Sequence, residues 1–159
     1  MVNHPGFVSR LILALATWGG AGYLPLAPGT WGTAATLPLW WLLTYLGSPL
    51  GYALALVGLL VVAALVAGPA QALLAQADPS AIVIDEAVGL LVALAGVPLN
   101  WTWALTGFVL FRVFDILKPW PISWLDRGHS GLYVVMDDVA AGLMARFVLE
   151  IIMVLWRRG

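Results

Sequence analysis

The chain has 159 residues, of which 62% are hydrophobic and 9% are charged, and its net charge is −1. Soluble domains carry about 25% charged residues, so this chain has too few polar groups to cover a water-exposed surface. The composition therefore excludes an ordinary soluble domain, a disordered chain and a nucleic-acid binder, which would need a basic surface. It predicts a single membrane-embedded domain over residues 1–159. The absence of cysteine excludes disulfides, thiolate metal sites and cysteine nucleophiles.

Apolar segments follow one another along the chain, and one membrane crossing needs about 20 mostly apolar residues. Residues 7–24 form a glycine-rich apolar run, which predicts an interfacial or re-entrant helix. Five further segments then predict an all-α integral membrane protein, a compact bundle of about four to five transmembrane helices. These segments are residues 31–46, 50–68, 81–97, 101–117 and 132–156.

The distribution of Lys and Arg predicts the orientation of the bundle. The turns at 47–49 and 97–100 contain neither residue, whereas the loop 118–131 contains Lys118 and Arg127. Positively charged loops face the cytoplasm, so this loop is predicted to be cytoplasmic together with the N-terminus and the polar loop 71–80. An odd number of crossings would place Arg157 and Arg158 outside. Either this short tail is an exception to the preference of positive charges for the cytoplasm, or one segment does not cross the membrane.

Acidic residues cluster at the predicted cytoplasmic ends of the segments. They are Asp85 and Glu86 in the third segment, Asp115 in the fourth, and Asp137 and Asp138 in the last. The simpler interpretation makes them rim residues in contact with headgroup water, because terminal charges cost little. Helical spacing, however, places Glu86 on one face with Gly89. It likewise places Asp138 with Gly142, and small residues let helices pack closely in lipid. The acids are therefore predicted to point into the bundle, as membrane charges usually do.

The residue types suggest a metal and a phosphate. Carboxylates without cysteine suit a hard cation such as Mg²⁺, which takes oxygen ligands and is often completed by substrate phosphates. Arg112, Lys118 and Arg127 would suit a phosphate. This combination is typical of phosphoryl transfer or hydrolysis. The alternative is a transport protein that uses the acids as a cation or proton path, but transport acids are expected near the midplane rather than at one end.

Two further features carry predictions. The string LPLAPGTWGT at 24–33 breaks the chain at Pro28, and Thr30 or Thr33 is predicted to cap the helix that follows. Such a helix start can bind an anion, although a simple capped turn is the commoner meaning. Arg146 and Glu150 are four residues apart in the last segment, which predicts that they neutralise each other.

Five strings, in order and over nearly the whole chain, resemble the phosphatidylglycerophosphatase A family. They are LPLAPGTWGT at 24–33, IVIDEAVG at 82–89, FRVFDILKPWPI at 111–122, LDRG at 125–128 and VVMDDVAAG at 134–142. The resemblance implies a lipid phosphatase of the bacterial cytoplasmic membrane. Such an enzyme would hydrolyse phosphatidylglycerophosphate to phosphatidylglycerol and phosphate with Mg²⁺, in phospholipid biosynthesis. Membrane lipids would surround it, and the sequence leaves the oligomeric state open.

Residue roles follow from this combination as hypotheses. Metal binding is assigned to all five acids, Asp85, Glu86, Asp115, Asp137 and Asp138. Catalytic work is assigned to four of them, without Asp137. Phosphate binding is assigned to Thr30, Arg112, Lys118 and Arg127. Metal-activated water is the expected nucleophile, with an aspartyl-phosphate intermediate as the alternative. Which acid is a ligand and which is the general base stays open, and His129 is interpreted as a solvated loop residue.

Overall fold

The computed structural model describes residues 6–74, 79–120, 122 and 131–158. Over these ranges the protein is all-helical, with six α-helices. They are α1 (Phe7–Ala16), α2 (Pro28–Tyr45), α3 (Pro49–Leu73), α4 (Ile84–Ala93), α5 (Trp101–Leu117) and α6 (Gly131–Arg158). Two 3-10 turns, Ala21–Tyr23 and Pro79–Ala81, precede α2 and α4.

Two of the described helices are long and apolar enough to cross a membrane. They are α3, over Pro49–Leu73, and the portion Val135–Arg158 of α6. The 25 residues of α3 rise about 37 Å, which exceeds the hydrocarbon thickness of about 30 Å. Helices α2 and α5 have 18 and 17 residues, and neither combines the length and apolarity of a span. A membrane protein is thus indicated, but the predicted bundle of four to five spans is not confirmed.

Consecutive helices from α2 to α6 run in opposite directions, and this gives the molecule two unlike ends. The rings of Trp41 and Trp101 stack at 4.8 Å, so the end of α2 lies beside the start of α5. Trp103 and Trp156 lie 6.3 Å apart, so the start of α5 also lies beside the end of α6. We call this the tryptophan end. The starts of α2, α4 and α6 lie at the other end of the molecule.

The shortest of the core helices is α4, which differs from the predicted segment 81–97. It has ten residues and rises about 15 Å, half of a hydrocarbon core. The chain leaves the helix before Gly96, whose φ of +70° belongs to the left-handed region that favours glycine. Beyond the helix, Leu94 and Val97 are buried. Their apolar character therefore reflects packing in the protein core and does not indicate a transmembrane helix.

The carbonyl end of α4 is buried among three other helices. A helix leaves its last four carbonyl groups without helical partners, and burying them unpaired costs free energy. Side chains from α2, α3 and α6 donate to this end. The bonds are Trp40 Nε1 to Leu94 O (3.3 Å), Tyr52 Oη to Leu91 O (2.6 Å) and Arg146 Nε to Ala95 O (2.7 Å). Helix α4 is therefore fixed along its own axis by hydrogen bonds.

Arg146 has a second partner one turn further along α6. Its Nη2 lies 2.7 Å from Glu150 Oε2, which confirms the predicted mutual neutralisation. The same guanidinium also donates to the Ala95 carbonyl, so Arg146 joins an ion pair to the end of α4. Sequence spacing predicted the pair but could not predict the carbonyl contact.

Glycines let α4 and α6 approach closely, as the sequence predicts. A Cβ atom at Gly142 would collide with the carbonyl oxygen of Gly89 and would lie 3.0 Å from Val92 Cβ. A Cβ atom at Gly89 would lie 2.8 Å from the carbonyl oxygen of Asp138. The two backbones are thus in contact at the level of the acidic residues.

Loss of one hydrogen bond to α4 should be measurable. Tyr52→Phe removes the hydroxyl that donates to Leu91 O and leaves a buried carbonyl without that partner. We expect a loss of about 1–3 kcal/mol in the free energy of unfolding, measured by denaturant unfolding in detergent. Tyr45→Phe is the matched control, because Tyr45 is exposed and its change should stay within about 0.5 kcal/mol. Equal effects of the two variants would contradict the capping role of Tyr52.

Candidate active site

A cluster of carboxylates lies where α4 and α6 meet. Asp85 and Glu86 occupy the first turn of α4, where the helix dipole stabilises negative charge. Asp138 joins them from α6. One carboxylate oxygen from each of the three residues lies within 4.8 Å of the other two. We call Asp85, Glu86 and Asp138 the carboxylate cluster.

Burial makes this cluster electrostatically costly. Asp85 and Asp138 are only 5% and 4% exposed. Burial raises the pKa of the Asp85 carboxyl to about 6. Burial, with the adjacent Asp85 charge, also raises the pKa of the Glu86 carboxyl well above its ordinary value. Glu86 Oε2 is buried without a hydrogen-bond partner among the described residues. An all-oxygen donor set of this kind fits a hard divalent cation, which would offset the repulsion.

Arg112 of α5 lies beside the cluster. Its Nη1 is 2.6 Å from Asp115 Oδ2 and 4.0 Å from Glu86 Oε1. The same nitrogen donates to Thr33 Oγ1 at 3.5 Å, and Thr33 in turn donates to the carbonyl of Gly29 at 2.7 Å. Arg112 and Asp115 are three residues apart on α5, a spacing that places both side chains on one face of the helix. The guanidinium thus joins α2, α4 and α5 at one point.

Asp115 links Arg112 to the carboxylate cluster. It also lies within electrostatic range of Asp138. Asp115 therefore lies at the margin of the cluster, with its charge offset by the guanidinium. The structure places it close enough to act there, and its predicted role as metal ligand stays a prediction.

Asp137 and Lys118 form an ion pair beside the cluster. Lys118 Nζ lies 2.7 Å from Asp137 Oδ2, and the other oxygen of Asp137 accepts the backbone N–H of Asp138 at 3.0 Å. Lys118 ends α5 in the left-handed conformation, with φ of 42°. The structure thus places Asp137 on Lys118 instead of in the three-residue cluster. The metal role of Asp137 and the phosphate role of Lys118 stay predictions.

The start of α2 differs from the prediction. The N-cap residue is Ala27, in the left-handed conformation and without a side-chain cap, so the predicted capping by Thr30 or Thr33 is wrong. Both threonines lie inside α2, because Pro28 already occupies the first helical turn. Thr30 lines a cavity together with Arg112, which keeps it beside the predicted phosphate site.

Gly29 was missed by the sequence reasoning as a site residue. A Cβ atom there would collide with Glu86 Oε1 and would lie 3.1 Å from both terminal nitrogens of Arg112. Only glycine lets the backbone of α2 approach these two side chains so closely. The break at Pro28 and Gly29 was the available signal, but which side chains fill that space depends on α4 and α5.

Arg127, the remaining predicted phosphate ligand, lies outside the described residues, as does His129. Their predicted roles stay predictions.

Buried carboxylates beside an arginine and a lysine, in a helical protein with membrane-length helices, are the residue types expected of a membrane phosphatase. The sequence model of one family, phosphatidylglycerophosphatase A, matches residues 14–153, and the chain belongs to that family. It is 37% identical over 147 residues to phosphatidylglycerophosphatase A of Escherichia coli (strain K12). That match covers 91% of this chain and 85% of the relative. The prediction of a phosphatase is therefore confirmed.

Two shorter matches add to this comparison. Phosphatidylglycerophosphatase A of Haemophilus influenzae is 47% identical over 73 residues, which cover 45% of each chain. A Bacteroides thetaiotaomicron protein, named provisionally as a phosphatidylinositol-3-phosphatase, is 40% identical over 77 residues, or 46% of this chain and 48% of that one. No solved structure matches. The relatives are thus named for phosphate monoesters carried by phospholipids.

The close approach at Gly29 can be tested by one methyl group. Gly29→Ala places a Cβ atom against Glu86 and Arg112, so we expect phosphatase turnover to fall at least about ten-fold. The thermal unfolding midpoint reports whether the variant stays folded. Gly58→Ala in α3 is the matched control, because a Cβ atom there meets nothing within 4 Å. Full activity of Gly29→Ala would show that this approach does not position the site.

Proposed function

We propose that this protein hydrolyses the terminal phosphate of phosphatidylglycerophosphate and releases phosphatidylglycerol and inorganic phosphate. The observation that carries the proposal is the buried carboxylate cluster in contact range of Arg112. The names of the family and of its E. coli relative support the lipid substrate. Three anionic groups alone would repel a phosphate, so the site needs positive charge from a metal and from Arg112.

We assign Mg²⁺ to the carboxylate cluster as the cofactor. The donors are all oxygens, and the unpartnered Glu86 Oε2 is available to a cation. Bound Mg²⁺ would supply Lewis-acid polarisation of the phosphate oxygens. Asp85, Glu86 and Asp138 would hold it, and Mg²⁺ would in turn favour their charged forms.

The chain's own residues then divide the remaining work. Arg112 holds the phosphate and stabilises the negative charge that develops on it in the transition state. Thr30, which shares a cavity with Arg112, completes the phosphate pocket. Asp115 stands outside the cluster and is the available acceptor for a proton from the attacking water. The new bond joins the water oxygen to phosphorus, the ester bond to glycerol breaks, and the glycerol oxygen takes up a proton.

The alternative of cation or proton transport has no support in the comparisons, whose relatives are all named as phosphatases. The placement of charge also argues against it. The cluster lies at the start of α4 and about two turns into α6, whereas α3, the most apolar helix, contains no charged residue. A path for ions between the two faces would need polar groups along its length.

The function can be tested by phosphate release from purified protein in mixed micelles of detergent and phosphatidylglycerophosphate. We expect turnover that is lost with a chelator and restored by Mg²⁺. We also expect Asp138→Asn to lower turnover per folded molecule by about 100-fold or more, because it removes one carboxylate charge from the cluster. Full turnover in excess chelator would exclude the metal assignment.

Glu150→Gln is the control for this carboxylate. It lies on the same helix as Asp138 but pairs with Arg146 outside the cluster. We expect less folded protein, because the guanidinium is left without its charge partner, and a nearly normal rate per folded molecule. Phosphatidylinositol 3-phosphate, offered in the same micelles, measures headgroup selectivity.

A multi-pass orientation in the bacterial cytoplasmic membrane, with the cluster facing the cytoplasm, completes the proposal. The ion pair with Asp137 keeps Lys118 at the start of α6, whereas Arg157 and Arg158 end that helix. If α6 spans the membrane, these charges lie on opposite sides, so one group must violate the positive-inside rule. We take the two-residue tail as the exception to this rule, so that Lys118 marks the cytoplasmic side.

Single cysteines test this orientation, because the chain has none of its own. Trp120→Cys lies beside Lys118 and Leu46→Cys at the tryptophan end, at positions where the native side chains are 81% and 65% exposed. An impermeant thiol reagent should label only Leu46→Cys in intact cells and should label both after lysis. Labelling of Trp120→Cys alone in intact cells would mean that the orientation is inverted.

A further inference from the structure

A cavity of about 340 Å³ lies on the outer side of α5, next to the carboxylate cluster. Two polar residues, Thr30 and Arg112, line one part of it. The remaining lining is apolar and comes from α5, namely Phe108, Val109, Val113, Ile116 and Leu117. Val109, Val113 and Ile116 are spaced by four and three residues, with Phe108 and Leu117 next to them, so the five form one stripe along the helix. We call this cavity the α5 groove.

The polar part of the α5 groove is also a wall of the site. Arg112 lines the groove while its Nη1 contacts Asp115 at 2.6 Å and approaches Glu86 at 4.0 Å. The Nε atom of Arg112 is buried without a hydrogen-bond partner among the described residues. A molecule in the groove would therefore have its charged end at the guanidinium.

The apolar part of the α5 groove is open to the surroundings. Val109, Val113, Ile116 and Leu117 are all exposed, with Val109 at 56%. In water such a stripe would be unfavourable, but beside a membrane it faces hydrocarbon. The stripe covers ten residues from Phe108 to Leu117, or about 14 Å along the helix axis. A cavity of about 340 Å³ is at the small end of ligand pockets, which hold about 300–1,000 Å³.

The occupant must match both parts. It needs a hydrocarbon portion for the stripe and an anionic group for Arg112, joined in one molecule. A phospholipid with a phosphate monoester has this chemistry, whereas a free phosphate would use only the polar part and a neutral lipid only the apolar part. With a metal ion on the carboxylate cluster, as proposed above, Arg112 would favour an anionic lipid over a neutral one.

We propose that the α5 groove binds an acyl chain of the phospholipid substrate and thereby aligns its phosphate with Arg112 and the carboxylate cluster. This inference rests on the proposed function. The acyl chain takes no part in the reaction, so the free energy of its binding serves to orient the phosphate. The groove would make the enzyme prefer a lipid phosphate to a water-soluble ester with the same headgroup.

The first experiment fills the groove with a larger side chain. Val109→Trp should raise KM for long-chain phosphatidylglycerophosphate in mixed micelles at least about ten-fold. This rise in KM should be at least ten-fold greater than the rise measured with the deacylated, water-soluble form of the same headgroup. Val57→Trp in α3 is the matched control, because Val57 is 55% exposed and lies outside the groove. Its KM for the lipid should match that of the unmodified protein.

The second experiment reads binding without relying on turnover. Phosphatidylglycerophosphate with a photoreactive acyl chain is cross-linked to the protein in micelles, and the labelled residues are mapped by mass spectrometry. Labels should concentrate between Phe108 and Leu117. An excess of unlabelled phosphatidic acid should remove them, whereas diacylglycerol with the same chains should not.

The outcomes separate the two proposals. If the protein releases no phosphate but shows competed labels on α5, the proposed function fails and the lipid site stands. Equal effects of Val109→Trp and Val57→Trp on KM for the lipid would contradict acyl-chain binding in the α5 groove, even in an active enzyme. Labels spread evenly over α3 and α5, or removed equally by diacylglycerol, would also overturn it, because they would report only the surrounding lipid.

Discussion

Hydrogen bonds to the buried carbonyl end of α4 constrain the rest of the molecule. A ten-residue helix that ends inside a bundle has carbonyl groups without partners in the helix itself. Trp40, Tyr52 and Arg146 donate to them from three different helices, and so position α4 along its own axis. Because the helix is rigid, this also fixes the depth of Asp85 and Glu86 at its opposite end. Groups about 15 Å from the site thus position its carboxylates.

The distances between α4 and its neighbouring helices are set by glycine residues instead of by hydrogen bonds. Gly89 and Gly142 allow the backbones of α4 and α6 to touch, which brings Asp138 to the two acids of α4. Gly29 allows α2 to approach from another side, against Glu86 and Arg112. A side chain at Gly89 or Gly142 would meet the backbone of the facing helix and hold α4 and α6 apart, whereas one at Gly29 would displace the ends of the Glu86 and Arg112 side chains. The close contact between the backbones of α4 and α6 is therefore also what brings the carboxylates together.

The buried carboxylates lie at one end of the molecule, which suits an enzyme that acts on a phosphate group. The tryptophan contacts lie at the other end, together with Arg157 and Arg158. Aromatic rings favour the membrane interface, and burial at the carboxylate end strengthens every electrostatic interaction there. A phosphate at headgroup depth would meet the carboxylate end while its chains stay in hydrocarbon. In the proposed orientation, the lipid substrate would need little movement out of the membrane.

The sequence by itself determined the class of protein, the family and most of the charged residues at the site. Those features are local: a composition too apolar for water, ordered strings of residues, and helical spacing that pairs Arg112 with Asp115 and Glu86 with Gly89. Tertiary structure decided the length of α4, because residues such as Val97 are apolar through burial and carry no mark of where a helix ends. It also decided that Asp138 joins the cluster while the adjacent Asp137 meets Lys118. Neighbouring residues on a helix point about 100° apart, so which one faces the site depends on the rotation of α6 against α4 and α5, and packing between distant segments sets that rotation.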